Sequence, residues 1–316
     1  FTSTVGNTVK VDNETLTQSS TRFYAGRVYQ LGTVTTLPTV TVTIDAGAIL
    51  KFPLSSSSLM VQGQLYAGNK AGAAVMLTSF KDDNVGGDSN FDGSLTTPLA
   101  GDWKELYLGD NGWAKLENVT MRYGGRTNAA IYAPKDGTLI LDSCLVTLSK
   151  NAGIQMNNNS GASAADFYTS TLVLTSTTVS HNLEYGIQMD AYQRSSIAPF
   201  GAGENNLYVS DSIITQNGLS GVYIDLTGDA QITTTDIMSN VGYGVEAQAT
   251  ANVMANGNWW GAANGPAPTG SGDKVSATVT ASTWSSTQIH PTVLAAGVAP
   301  NEVGRAQQIF LPIVSR

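Results

Sequence analysis

The sequence predicts an all-β chain wound as a solenoid of stacked coils, and three observations carry that expectation. A short signature recurs four times, as "SKNAGIQM" (149–156), "SHNLEYGIQM" (180–189), "TQNGLSGVYI" (215–224) and "MSNVGYGVEA" (238–247). Between signatures, apolar residues alternate with polar ones, as in "LYVSDSIITQ" and "AQITTTDIMS", which is the period of a half-buried strand. Charged residues are only 13% of the 316, so Ser, Thr, Asn, Gln and Gly must build the polar surface. Those residues suit strands and turns better than helices.

The repeat sets the coil. Counted on Asn151, Asn182, Asn217 and Asn240, the intervals are 31, 35 and 23 residues; on Gly153, Gly186, Gly221 and Gly244 they are 33, 35 and 23. The shortest interval is one plain unit, and the longer ones carry the polar insertions "NNNSGASAADFYTS" (157–170) and "AYQRSSIAPFGAGENN" (191–206). Two or three short strands cannot bury an apolar face alone, so equivalent strands must stack in parallel, about 4.8 Å apart. The asparagines are expected at corners, bonded to backbone or to the Asn of the next coil. The glycine is expected to permit a tight or left-handed bend, and the Ile or Val after it to fill the core. In this register Val209, Ile213, Val222 and Ile224 point inward and stack on Ile232, Ile237 and Val245.

The remaining elements follow in order. Residues 1–34 are Thr-rich and β-prone and read as an N-terminal cap. The coils run over 35–266, with earlier turns in "VTVTIDAGAILKF" (40–52), "SLMVQGQLYAGN" (58–69) and "AKLENVTMRYGG" (114–125), and close in "ANVMANGNWWGAANGP" (251–266). Residues 267–316 read as a linker and a C-terminal capping or assembly tail. In "QIFLPIV" (308–314), Ile309, Phe310, Leu311, Ile313 and Val314 are too apolar to trail in water, so they are expected against apolar surface, that of a neighbouring molecule included.

At this point the pattern "TVTIDAGAILKF…LMVQGQLYAG…VMLTSFKDDNVGGDSNFDGS…GDWKELYL…KLENVTMRYGG", with "NWWGAANGP" near its end, resembles secreted bacterial right-handed parallel β-helix proteins of the pectin-lyase-like group. The resemblance covers roughly 35–285. It implies a single-stranded right-handed parallel β-helix with capping terminal segments, and it implies no one activity, since such folds carry lyases, hydrolases and adhesins.

The strongest ligand-like signal is "KDDNVGGDSNFDGS" (81–94). Asp88, Asn90 and Asp92 at alternate positions, followed by Gly93, reproduce the opening of an oxygen-rich calcium loop. The twelfth position is Leu99 rather than Glu, so this is not an EF-hand; Asp82, Asp83 or Asp102 would complete the ligands. In the resembling group this loop looks like a calcium site. Evidence for catalysis is thinner. Lys150 and His181 share a repeat slot with Gln216 and Ser239, as a solvent-facing position without chemical demand would. Glu184 and Arg194 lie nearby. Asp142, Asp211 and Asp236 show no common register, and His290 has no nucleophile motif beside it. Tyr185, Tyr192, Tyr223 and Tyr243 fall near the corners and read as stacking inside or beside the core, with stacking on sugar rings as the alternative; Trp259 and Trp260 read as an end cap, and Cys144 as a buried, inert thiol.

Net charge is −8, without a basic cluster, which argues against a nucleic-acid partner. No stretch reaches the ~18 apolar residues of a membrane span. Low charge, abundant Ser and Thr, and a start at Phe1 are consistent with a removed leader, and so with a secreted, extracellular or cell-surface protein. The expected function is an extracellular structural or adhesive β-helix, self-associating as a surface or filament subunit, with calcium as cofactor and extracellular polysaccharide as a partner. The alternative is a calcium-dependent polysaccharide lyase or other carbohydrate-active enzyme.

Overall fold

The computed structural model describes residues 3–5, 8–158, 169–191, 204–225, 228–248 and 251–291. Ile309, Phe310, Leu311, Ile313 and Val314 lie outside these, as do Tyr192 and Arg194. Among the described residues no helix occurs, and the strands form three sheets of ten, ten and nine strands, here called A, C and B. Each coil visits A, then B, then C, and the strand pairs are parallel except where Ser3–Val5 lies antiparallel on Thr8–Val11 at the N-terminal end. The chain is a right-handed parallel β-helix.

Alternation along each strand builds one continuous core. Ile187, Val222 and Val245 stack in sheet B, Leu174, Val209 and Ile232 in sheet C, and Val179, Ile214 and Ile237 in sheet A. One expected inward residue is corrected: Ile213 pairs with Thr178 and Asp236 on the outer side of sheet A, and its neighbour Ile214 fills the core. A one-residue shift in a strand exchanges its two faces, and the run "IIT" offers an isoleucine to each.

The corners explain the repeated signature. Leu148, His181, Gln216 and Ser239 turn the chain from sheet A towards B in left-handed conformation, with φ of 56°, 54°, 55° and 61°. Immediately after them run Ser149, Asn182, Asn217, Asn240 and, from the closing segment, Asp273. Asn182 accepts from the backbone N–H of Ser149 at 3.1 Å, and donates its own Nδ2 to Asn217 Oδ1 at 2.9 Å. Asn217 does the same to Asn240 at 2.9 Å, and Asn240 to Asp273 Oδ2 at 2.9 Å. The backbone N–H groups of Asn182, Asn217 and Asn240 bond the same oxygens. A second ladder stands at the C-to-A corner, where Thr177 Oγ1 accepts from the N–H of Cys144, Ser212 Oγ from Thr177 and Asn258 Oδ1 from Thr235.

Three sequence expectations change here. Asn151 is not a rung: the 33-residue register sets Ser149 opposite Asn182, and Asn151 donates instead to the Thr127 carbonyl. The same register pairs Leu148, not Lys150, with His181, which is buried rather than solvent-facing. Neither ring nitrogen of His181 has a partner, and burial lowers its pKa, which favours the neutral ring. The four glycines do not bend the chain, since none has positive φ. Each makes room: a Cβ on Gly153, Gly186 or Gly221 would lie 2.7, 2.8 or 2.8 Å from Nδ2 of Asn182, Asn217 or Asn240. Asn and Gly recur together because the glycine of one coil accommodates the asparagine of the next.

The far end is closed by residues 256–290. Trp260 is fully buried in the core, and buried Asp236 accepts the backbone N–H groups of Ile289 and His290, both at 2.9 Å. Cys144 is buried, its thiol pushed up to about 12 by burial.

Two substitutions test this account by chemical denaturation. Val222→Asp places an unpaired carboxylate in the core and should cost about 3–5 kcal/mol. Asn217→Ala leaves ladder donors and an acceptor unpaired and should cost at least about 2 kcal/mol, whereas Asn151→Ala should stay within about 1 kcal/mol. Equal losses at 151 and 217 would contradict the ladder assignment.

Candidate functional site

The acidic loop joins Val75–Ser79 of sheet A to Glu105–Leu108 of sheet B. It is held against sheet A: a Cβ on Gly86 would meet Val28 and Ile49, and Lys51 donates from Nζ to the Gly87 carbonyl at 2.7 Å. Lys51 is fully buried, and desolvation lowers its pKa against the pull of Asp82, Asp83 and Asp88. The loop winds back on itself through left-handed Phe91 and Gly93, while the Asp88 carboxylate accepts the N–H groups of Asp92 and Gly93.

This winding brings one carboxylate oxygen each of Asp83, Asp88 and Asp92 within 4.8 Å of one another. Asn90 joins them by donating to Asp92 at 2.8 Å. Oδ1 of Asp83, Asn90 and Asp92 is shielded from solvent and accepts no hydrogen bond. Burial pushes the Asp83 carboxyl up, and repulsion from Asp88 adds to the rise. Converging hard oxygens lacking donors are the chemistry a calcium ion satisfies, so the residues fit that cation.

Two candidates belong to other contacts. Asp82 is fully buried, and its Oδ2 accepts from Thr78 Oγ1 and from Arg122 Nε at 2.8 Å. It braces the strands beneath the loop and is not one of the converging trio, though its Oδ1 too is buried and accepts no hydrogen bond. Asp102 accepts from Ser79 and the Leu99 N–H and pairs with Lys81 at 2.8 Å.

A second feature lies on the outer face of sheet B. Strand register places Met60, Tyr107, Tyr132, Gln155, Gln188, Tyr223 and Glu246 in one row, one residue per coil. Beside it runs the shorter row Asn157, Asp190 and Asp225. Tyr107 and Tyr132 meet edge to face with centroids 5.9 Å apart, and Tyr185 tilts against Tyr223 at 5.1 Å. The Asp190 carboxylate accepts Nε2 of both Gln155 (2.7 Å) and Gln188 (2.8 Å). A carboxylate only accepts, so both amides are turned alike, with each Oε1 directed away from Asp190. All of these side chains are half-buried, and desolvation raises the pKa of each of the four phenols.

The family profile described as right handed beta helix region matches residues 105–283, more than half of the chain. The chain belongs to that family. No curated protein and no solved structure matches it. The matched part of this right-handed β-helix contains the sheet B row from Tyr107 onward and begins after the acidic loop.

Of the catalytic candidates, Asp211 and His290 line one open cavity, where the His290 ring bonds the Thr234 carbonyl at 3.0 Å. Asp142 pairs with Lys70, Asp211 sits at a C-to-A corner, and Asp236 is consumed by the closing segment. Tyr243 carries the Lys274 ammonium over its ring at 4.1 Å. Tyr223 was legible as a corner tyrosine, but its place in one row with Gln155 and Gln188 was not, because the members stand 23 to 35 residues apart from Gln155 to Glu246. The repeated "GIQM" carried a signal, since it sets Gln155 on Gln188.

Burial raises the Asp190 carboxyl above its ordinary range, against the two glutamine bonds that lower it. A raised carboxyl binds its proton more tightly folded than unfolded. Its contribution to stability is therefore greatest below the ordinary aspartate range and is lost as pH rises through the folded value. Asp190→Asn should shrink the fall in melting temperature between buffer in the ordinary aspartate range and neutral buffer. An unchanged fall would refute the assignment.

Proposed function

We propose that this β-helix is an extracellular structural or adhesive protein that takes calcium in the 83–92 loop. It contacts polysaccharide through sheet B without performing chemistry on it. The observation that carries the reading is the outer row of sheet B, where tyrosines and oriented amides repeat once per coil. Stacking rings and fixed acceptors suit a polymer that itself repeats. The lyase alternative requires a base that reaches the polymer beside the cation, and Lys51, which contacts the acidic loop, is fully buried. Protein incubated with polysaccharide should be retained by it and release no shortened or unsaturated products; product formation would overturn the non-enzymatic reading.

Calcium has its own test. It should raise the melting temperature of chelator-treated protein, and Asp83→Asn with Asp92→Asn should remove that rise. Asp102→Asn should lower stability while keeping the calcium response. Absence of binding heat and of a melting shift in the unaltered protein would eliminate the site.

Self-association is the remaining part of the proposal, and sheet C supports it. Its outer row holds Tyr66, Ile140, Val173, Tyr208 and Met254, interrupted by Lys115 and Gln231, with Trp113 4.9 Å from Tyr66. This apolar row offers a surface for the 308–314 tail of a second copy. Deleting 306–316 should reduce particle size in light scattering while leaving the coils folded. Identical monomers before and after deletion would reject assembly through the tail.

A further inference from the structure

We infer that sheet B selects a neutral polysaccharide, lying along the solenoid axis, and rejects polyuronates; this rests on the reading of sheet B as the adhesive face. The first argument is charge. Among the described residues, the two rows from Tyr107 to Glu246 and from Asn157 to Gln248 hold Asp190, Asp225 and Glu246 but no Lys or Arg. Asp190 and Asp225 are register partners, about one strand spacing apart. Lys135, whose field reaches Tyr107, is paired with Asp110 at 2.9 Å. A chain with a carboxylate on each sugar would meet like charge at consecutive coils and find no cation in these rows. The net charge of −8 opposes it at longer range as well.

The second argument is hydrogen bonding. Because Asp190 holds both glutamine Nε2 groups, Oε1 is the end of each amide, on successive coils, left to accept from hydroxyl donors. Neutral sugars offer hydroxyls in that role. The third is spacing. Tyr132 and Tyr223 bracket the two glutamines, three coil steps from end to end, or about 14 Å at the usual strand separation. One step is close to the advance of an extended hexose chain per residue. Rings can therefore stack at both tyrosine pairs while the sugars between them meet the amides. Apolar ring faces on tyrosine and hydroxyls on amides together read a sugar without using its charge.

Affinity electrophoresis of the full chain tests this directly. Native gels would contain hydroxyethylcellulose, galactomannan, arabinoxylan, polygalacturonate or alginate, each run with calcium and with chelator. At least one neutral polymer should retard the protein, and neither polyuronate should do so in either condition. Tyr132→Ala with Tyr223→Ala, and separately Gln155→Leu, should each weaken retardation about tenfold while the coils stay folded by circular dichroism. Leu54→Ala, at an exposed turn outside both rows, should leave it unaltered. Retardation by a polyuronate alone overturns neutral selection while keeping the adhesive reading. Retardation by none of the five overturns both, and is the outcome expected if the face instead receives a protein or a second copy. Retardation insensitive to the sheet B substitutions moves the binding elsewhere and overturns the inference.

Discussion

Everything in this molecule depends on satisfying the backbone where the coil turns. Along a strand, each N–H finds a carbonyl on the coil beside it, but at a corner the chain changes direction and that partner is lost. An unpaired buried N–H costs about 1–3 kcal/mol, and a solenoid meets the problem at every coil. Here side-chain oxygens take over: Asn182, Asn217 and Asn240 each accept from the coil before and donate to the coil after, until Asp273 ends the series. The glycines exist to admit those amides, and non-glycine residues tolerate left-handed corners because the ladder beside them holds the turn.

The same stacking determines what the surface can be. Once the register is set by core and ladder, every outward position becomes a row, one residue per coil. Sheet B thereby acquires tyrosines and glutamines, and sheet C an apolar row, from residues far apart in the chain. Gln155 and Gln188 are held in place because a single carboxylate, Asp190, accepts from both amides. Each such row is a periodic surface, repeating once per coil.

The acidic loop obeys a different logic, in which burial separates structural carboxylates from available ones. Asp82 and Asp102 meet cations of the protein itself, Arg122 and Lys81, and so brace the base of the loop. Asp83, Asp88 and Asp92 converge without one. Lys51 lies close enough to feel their charge, but its ammonium bonds the Gly87 carbonyl. The base of the loop is thus held by carboxylates outside the converging trio, while Asp88 and Asp92 themselves hold its tip.

Much of the architecture was legible in the sequence. Alternating apolar residues and a recurring Asn–Gly signature specify stacked coils, because period-two burial and corner hydrogen bonding are local demands that each repeat must meet for itself. The spacing of Asp88, Asn90 and Asp92 was equally local. Register was not. Counting on asparagine put Asn151 in the ladder, whereas pairing of Thr147 with Ser180 put Ser149 there. Counting alone also sent Ile213 inward in place of Ile214. Which carboxylates remain free, and which tyrosines and amides share a face, depended on contacts between coils separated by insertions of different length. Only the tertiary structure decides these, since a row on a solenoid is defined by hydrogen-bonded register and not by distance along the chain.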